Sequence, residues 1–271
     1  MGERVLQPLE GKRVVITRAA VQARKLVEAL ENAGASAILA PAIRIAPPEQ
    51  YEALDAALSG LQEFDWILFT SRNAVKAVRD RAAELRIQIS PDQSKVGVVG
   101  PATGEEAQDA GFRVTHTASR AIGKALVDDL AAELCGRRVL LPRSDRADPE
   151  LRRALEACGA EVSEVIAYRT LLAEAPADSG RMEIISADAV VFFSPSAVTG
   201  FLEMFGDAAR DSLTKSGVAV ALGPVTHATL QNAGIERVIL AEDAAVAGIV
   251  RALAHFFEQL ERPASTGAKS A

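Results

Sequence analysis

The sequence predicts an α/β protein built on parallel sheets and duplicated once along the chain. Three observations predict it. Short apolar runs of strand type alternate with amphipathic helical patterns. Several of these strand–helix units recur at one fixed offset. Aromatic residues make up only 4% of the chain and much of the apolar fraction is alanine. That balance favours helices packed on buried strands over a β-sandwich. At ~150 residues per domain, the 271 residues correspond to two domains.

The elements follow in order. Val14-Val-Ile-Thr17 reads as a buried strand, and Leu26, Val27, Leu30 and Ala33 mark the apolar face of a helix that Gly34 ends. Trp66-Ile-Leu-Phe69 is the next buried run, with a helix from Asn73. Lys95-Val-Gly-Val-Val99 precedes a helix over 102–110, closed by Gly111. Val139-Leu-Leu141, Ala189-Val-Val-Phe-Phe193 and Val218-Ala-Val-Ala-Leu222 repeat the pattern. Continuous apolar strands interleaved with helices indicate parallel sheets covered on both faces.

The duplication is read from matched pairs. Phe69-Thr-Ser-Arg-Asn-Ala-Val75 is similar to Phe192-Phe-Ser-Pro-Ser-Ala-Val198, and Gly100-Pro-Ala-Thr103 to Gly223-Pro-Val-Thr226. Phe69 and Phe192, Gly100 and Gly223, and Gly111 and Gly234 are each 123 positions apart. Val14-Val-Ile-Thr-Arg18 matches Val139-Leu-Leu-Pro-Arg143, with Gly34 and Gly159 125 apart. Two proline-bearing extended segments, Ala40 to Pro48 and Ala167 to Pro176, read as crossovers that pair as a ribbon. The domains are then 1–42 with 173–262, and an inserted 43–172. A plain tandem split also fits the residues. Residues 263–271 read as a disordered tail.

Composition removes several function classes. A net charge of −6 argues against a general nucleic-acid binder. No apolar run approaches the ~20 residues of a membrane helix, and the N-terminus lacks a secretory apolar stretch. A cytoplasmic protein with no membrane partner is expected. Cys135 and Cys158 form no CxxC pair and read as reduced, mostly buried thiols. With the scattered His116, His227 and His255 they give no metal-ligand spacing. No GxGxxG stands in a dinucleotide context. A P-loop at Gly123-Lys124 fails because Ala118 and Ala125 replace its glycine and hydroxyl residue.

What remains is a set of strand-end turns. Gly100-Pro-Ala-Thr103 and Gly223-Pro-Val-Thr226 each follow a buried strand and open a helix. Glycine permits a close turn, and proline at the first helical position loses no bond. The Thr103 and Thr226 hydroxyls then stand beside free N–H groups at the positive end of a helix, a site for an anion. Ser71, Asn73, Ser194 and Ser196 occupy the neighbouring turns, as helix caps or as groups facing a ligand. Thr17 and Arg18, Arg72, and Arg143 stand at or just past strand ends, where a guanidinium grips carboxylates. Arg152-Arg153 reads as a solvated helix face. His227 reads as a helix-surface residue within reach of a ligand, and Tyr168 lies in a crossover.

Together these motifs, from Val14-Val-Ile-Thr-Arg18 through Asp65-Trp-Ile-Leu-Phe-Thr-Ser71, Val98-Val-Gly-Pro-Ala-Thr103, Arg138-Val-Leu-Leu-Pro-Arg143, Val165-Ile-Ala-Tyr-Arg-Thr170 and Phe192-Phe-Ser-Pro-Ser-Ala-Val198 to Leu222-Gly-Pro-Val-Thr226, resemble the uroporphyrinogen-III synthase family. They span about 11–253, in the family's order. The resemblance implies two flavodoxin-like parallel-sheet domains joined by a two-stranded linker. It implies cyclisation of hydroxymethylbilane, a linear tetrapyrrole with eight carboxylates, with loss of water and inversion of ring D through a spiro intermediate. It implies no metal or cofactor, a monomer, and hand-over of substrate from hydroxymethylbilane synthase. By motif position, Thr103 and Thr226 correspond to the family's cleft threonines, and Ser71, Asn73, Ser194 and Ser196 to its strand-end turns. Tyr168 corresponds to the tyrosine that assists departure of the hydroxyl. His227 stands where alanine is usual, and Arg143-Ser-Asp-Arg-Ala-Asp148 replaces a more glycine-rich turn. A non-catalytic two-domain anion or tetrapyrrole binder is the alternative. A response-regulator-like module ranks last, because the strand ends lack an acidic cluster.

Overall fold

In the computed structural model, residues 7–241 and 245–261 are described, so the tail expected over 263–271 lies outside them. The chain divides into two compact units. One comprises the chain up to Arg44 and from Leu172 onward, and the other Ile45–Leu171. In chain order, β1 (Arg13–Ile16), α1 (Ala20–Asn32) and β2 (Ser36–Leu39) lead to β3 (Ile43–Ala46), where the chain enters the second unit. There follow α2 (Glu52–Ser59), a 3-10 turn (Leu61–Glu63), β4 (Trp66–Phe69), α3 (Arg72–Glu84), β5 (Lys95–Val98), α4 (Pro101–Asp109) and β6 (Val114–Thr117). Then come α5 (Gly123–Leu134), β7 (Arg138–Ser144), α6 (Glu150–Ala157) and β8 (Glu161–Leu172), the last returning to the first unit. That unit closes with α7 (Asp178–Ile185), β9 (Ala189–Phe192), α8 (Pro195–Lys215), β10 (Val218–Ala221), α9 (Pro224–Asn232), β11 (Val238–Leu240) and α10 (Val246–Glu261).

The first sheet runs β11-β10-β9-β1-β2, with its neighbours parallel. The second runs β3-β8-β7-β4-β5-β6, with β4 through β8 parallel to their neighbours. β3 and β8 come from the two crossover segments and are hydrogen-bonded neighbours in the second sheet.

The central strands are buried on both faces, and their alternation sorts side chains into two cores per sheet. On β4, Ile67 and Phe69 pack with α2, α3 and α4, while Trp66 and Leu68 pack with α5 and α6. In the first unit, Val15, Val190 and Phe192 pack with α8 and α9, while Val14, Ile16 and Val191 pack with α1 and α10. Four helices stop where the sequence predicts, at Gly34, Gly111, Gly159 and Gly234. These residues take φ of 92°, 93°, 87° and 81°, the left-handed conformation in which glycine ends a helix most cheaply.

Some expectations change. Cys135 is exposed rather than buried, because it is the C-cap of α5, and Cys158 is half-buried; both are free thiols. β7 is longer than its apolar core and carries Pro142. Pairing with β4 uses only Val139 and Leu140 of β7, so the missing Pro142 N–H falls beyond that ladder. The extended segment expected from 167 begins earlier, as the twelve-residue β8. Among the described residues, no helix is long and apolar enough to cross a membrane.

Candidate active site

In each unit the strand order reverses once. Between β1 and β9 of the first sheet, successive helices pass to opposite faces: α1 to the face of α10, and α8 to the other. Between β4 and β7 of the second sheet, α3 lies on one face and α6 on the other. Open parallel sheets bind ligands at the carboxyl ends of strands, at such reversal points. The strand-end turns of the sequence stand around both.

At the β4/β7 reversal the Tyr168 phenol lies 3.1 Å from the Ser71 hydroxyl. Ser71 Oγ also accepts the Ala74 N–H at 3.1 Å, which caps α3. Asn73, the second residue of α3, stands near enough to the same phenol to favour its ionised form slightly. Register brings Tyr168 there. A bulge between Arg143 and Ser144 sets Ser144 opposite Tyr168, and the Asp145 N–H donates to the Tyr168 carbonyl at 3.2 Å. Asp145 Oδ1 in turn accepts from Thr170 N–H at 2.9 Å and from Ser144 Oγ at 3.0 Å. Burial pushes the Tyr168 phenol above the ordinary tyrosine range. The Ser71 bond, the Arg143 charge and the nearby Asn73 amide oppose that shift, while Asp145 adds to it. The phenol is therefore neutral and able to donate a proton throughout the neutral range.

Arg143 is not the open carboxylate fork expected at this strand end. It is only 7% exposed. Its Nη1 donates to the Asp148 carbonyl at 2.7 Å and to Glu164 Oε1 at 3.0 Å, and its Nε has no partner among the described residues. Glu164, on the adjacent β8, lies opposite Leu141 and reaches Arg143 diagonally across the β7–β8 pair; it also meets Arg152 at 3.6 Å. The guanidinium thus acts on Tyr168 from within the unit. Arg152 also pairs with Glu156, as a solvated helix face does.

At the β1/β9 reversal, Thr17 is buried and its hydroxyl donates to the Val191 carbonyl at 2.8 Å, stitching β1 to β9. Arg18 is half-buried, bonds Gln22 through Nε at 2.9 Å and lies over the Phe193 ring at 4.6 Å. Ser194 caps α8 by accepting the Ala197 N–H at 3.2 Å. Ser196 is the second residue of that helix and half-buried.

The remaining turns are open helix ends. α1, α4 and α9 have Ala19, Gly100 and Gly223 at their N-cap positions, and none has a side-chain cap or an acidic residue in its first turn. Each presents first-turn N–H groups and a partial positive charge of about half a unit. Thr103 and Thr226, third in α4 and α9, are buried beneath those ends. His227 is half-buried on α9 and Arg72 exposed at the start of α3. His116, without a role in the sequence reading, bonds Asp129 at 3.2 Å. Asp129 also accepts the Ser119 N–H and hydroxyl, pinning the turn after β6 and holding the Asp129 carboxyl below its usual range.

The matched glycines of the two turns are not equivalent. Gly100 is extended, with φ −179°, whereas Gly223 has φ +105° with open space where a Cβ would stand. Gly223→Ala is expected to cost about 1–2 kcal/mol through backbone strain alone. Gly100→Ala is expected to stay within about 0.5 kcal/mol of the parent. Denaturant unfolding of the two variants checks this, and equal losses would contradict it.

The family model described as Uroporphyrinogen-III synthase HemD matches residues 24–251. A uroporphyrinogen-III synthase of Synechococcus elongatus is 32% identical over 231 residues, covering 83% of this chain and 88% of that one. A mutant uroporphyrinogen III synthase of Thermus thermophilus superposes with a TM-score of 0.68 at 18% identity, over 93% of this chain and 100% of that one. The Helicobacter pylori uroporphyrinogen-III synthetase gives 0.58 at 17% identity, over 91% and 99%. The two structures share the fold of this chain.

Proposed function

Since this chain belongs to the uroporphyrinogen-III synthase family, we propose that it closes hydroxymethylbilane to uroporphyrinogen III with Tyr168 as proton donor. The observation that carries the reading is the neutral, buried Tyr168 phenol hydrogen-bonded to Ser71 at the β4/β7 reversal. In the proposed sequence the Tyr168 proton goes to the hydroxyl that departs from the bilane as water, leaving a protonated azafulvene on ring A and a tyrosinate. Ring D attacks that methylene through its substituted α-carbon and gives a spiro intermediate. The bond from that carbon to the ring C methylene then breaks. Re-closure through the free α-carbon of ring D leaves ring D inverted, and the proton lost from that carbon restores the Tyr168 phenol.

Recognition rests on backbone donors. The eight substrate carboxylates are met by the open N-termini of α1, α4 and α9, by the turns bearing Thr103, Thr226 and Ser196, and by Arg18. Thr17, Ser71 and Ser194 fix the turns, Ser71 also holds the phenol, and Arg143, with Asn73 nearby, eases the phenolate that forms when the proton leaves. The bilane closes by itself to the uninverted isomer, so holding it in one folded shape supplies much of the selectivity. This explains a site without a strong nucleophile. The reading includes a monomer acting in the cytoplasm without a cofactor and receiving the bilane from hydroxymethylbilane synthase. Its test is an isomer analysis: bilane generated in situ is incubated with the protein, and the products are oxidised and separated. Type III uroporphyrin is expected. Type I alone, formed at the spontaneous rate, would overturn the reading in favour of a non-catalytic tetrapyrrole binder.

A further inference from the structure

We infer that a cavity of about 450 Å³ at the β1/β9 reversal is a subsite for one carboxylate-bearing pyrrole ring of the bilane, with Arg24 and Lys25 as its specificity residues. The inference rests on the proposed synthase reading. The cavity runs from the strand ends along the first turns of α1 to α10, with Arg18, Arg24, Lys25, Val21, Phe193 and Ile249 among its walls. Three of these six are cations in a chain of net charge −6. Among the described residues, Glu28 is the one carboxylate that lines it, 3.4 Å from Arg24 in an exposed helical pair. Lys25 has no ion-pair partner among the described residues.

The apolar half of the wall completes the chemistry. Val21 is 93% exposed, a large apolar side chain left in water beside the cations. Phe193 offers a ring face already matched to a guanidinium by Arg18. A cavity that is cationic on one wall and apolar on the other suits a flat ring carrying acid side chains better than a free inorganic anion. The uncapped end of α1 at Ala19 opens beside it.

The duplication sharpens the assignment. The matched stretches Val14 to Arg18 and Val139 to Arg143 pair Arg18 with Arg143, and at the same offset Arg24 and Lys25 pair with Pro149 and Glu150. In the second unit the equivalent reversal holds a phenol and an arginine already committed to Glu164. In the first it holds cations beside a cavity. The two reversals divide the work, one donating a proton and the other gripping an acid side chain.

The experiment compares the parent protein with Arg24→Gln/Lys25→Gln and with Val21→Glu, all at exposed helix positions that leave the cores untouched. Lys215→Gln, an exposed pair on α8, is the control. Two readouts are taken: KM and kcat for hydroxymethylbilane, and fluorescence titration with uroporphyrin, an unreactive octacarboxylate. The expected result is a rise in KM of about threefold to tenfold, kcat within about twofold, and an equal loss of uroporphyrin affinity, shrinking as salt is raised. Lys215→Gln is expected to match the parent in both readouts. Parent-like values for both cavity variants would overturn the inference. Weaker uroporphyrin binding with an unchanged KM would also overturn it, by separating the cavity from the productive pose. If the parent protein makes no type III isomer, the synthase reading fails by itself; the titration still reports whether the cavity grips a tetrapyrrole acid.

Discussion

Replacing Tyr168 with phenylalanine slows formation of the type III isomer by about a hundredfold, the low end of what a positioned general acid supplies, without abolishing it. The variant loses only the phenol oxygen. Ser71 keeps its bond to the Ala74 N–H, so the α3 cap survives and stability changes little. Residual turnover persists because the helix ends that fold the bilane are untouched. The pH dependence follows from the sign of the shift. Burial holds the Tyr168 pKa above that of the same residue in the unfolded chain. The folded protein therefore keeps its proton where the unfolded chain has lost one, and stability falls as pH rises above about 10. Below that the donor stays loaded, and the parent rate shows no alkaline loss from this group. A Tyr168→Phe variant with the parent's kcat would remove the phenol from the chemistry.

Truncating Phe201 to alanine is expected to destabilise the first unit by about 3–5 kcal/mol, a large share of the 5–15 kcal/mol typical of a domain. The ring is 1% exposed. It meets Phe192 edge-on at 5.3 Å and Phe205 at 4.7 Å, so its loss empties the junction between β9 and α8. Phe192 leads directly into the Ser194 cap, and the damage reaches the β1/β9 reversal. The single tryptophan, Trp66, lies in the core of the second unit. Denaturation followed by circular dichroism is therefore expected to begin earlier in Phe201→Ala, while the Trp66 fluorescence transition stays near that of the parent. An unchanged dichroism midpoint would contradict the packing account.

The elements that were legible in the sequence are those whose signal is local. Trp66-Ile-Leu-Phe69 is apolar throughout because both sheet faces are covered, and each helix-ending glycine sits where the left-handed turn falls. β2, β6 and β11 escaped because they are less buried; Val114-Thr-His-Thr117 carries no apolar run to read. Ser71 and Ser194 could be placed as caps because a cap acts three residues away. Arg143 could not be read correctly. Its partner Glu164 reaches it only through the β7–β8 pairing, and nothing near Arg143 in sequence marks a buried guanidinium. The grouping of Tyr168 with Ser71 and Asn73 likewise depends on strand order, which the repeat implies but does not specify. Arg24 and Lys25 resemble any solvated helix face until the β1/β9 reversal places a cavity beside them.

The central claim is that the protein imposes one folded shape on a bilane that otherwise closes to the uninverted isomer. It is tested most directly by the isomer ratio measured against protein concentration at fixed bilane. Spontaneous closure competes at a constant rate, so the account predicts a type III fraction that climbs with protein and saturates near completeness. A type III fraction that stays at the protein-free level over the whole range, with the protein folded and binding uroporphyrin, would contradict it.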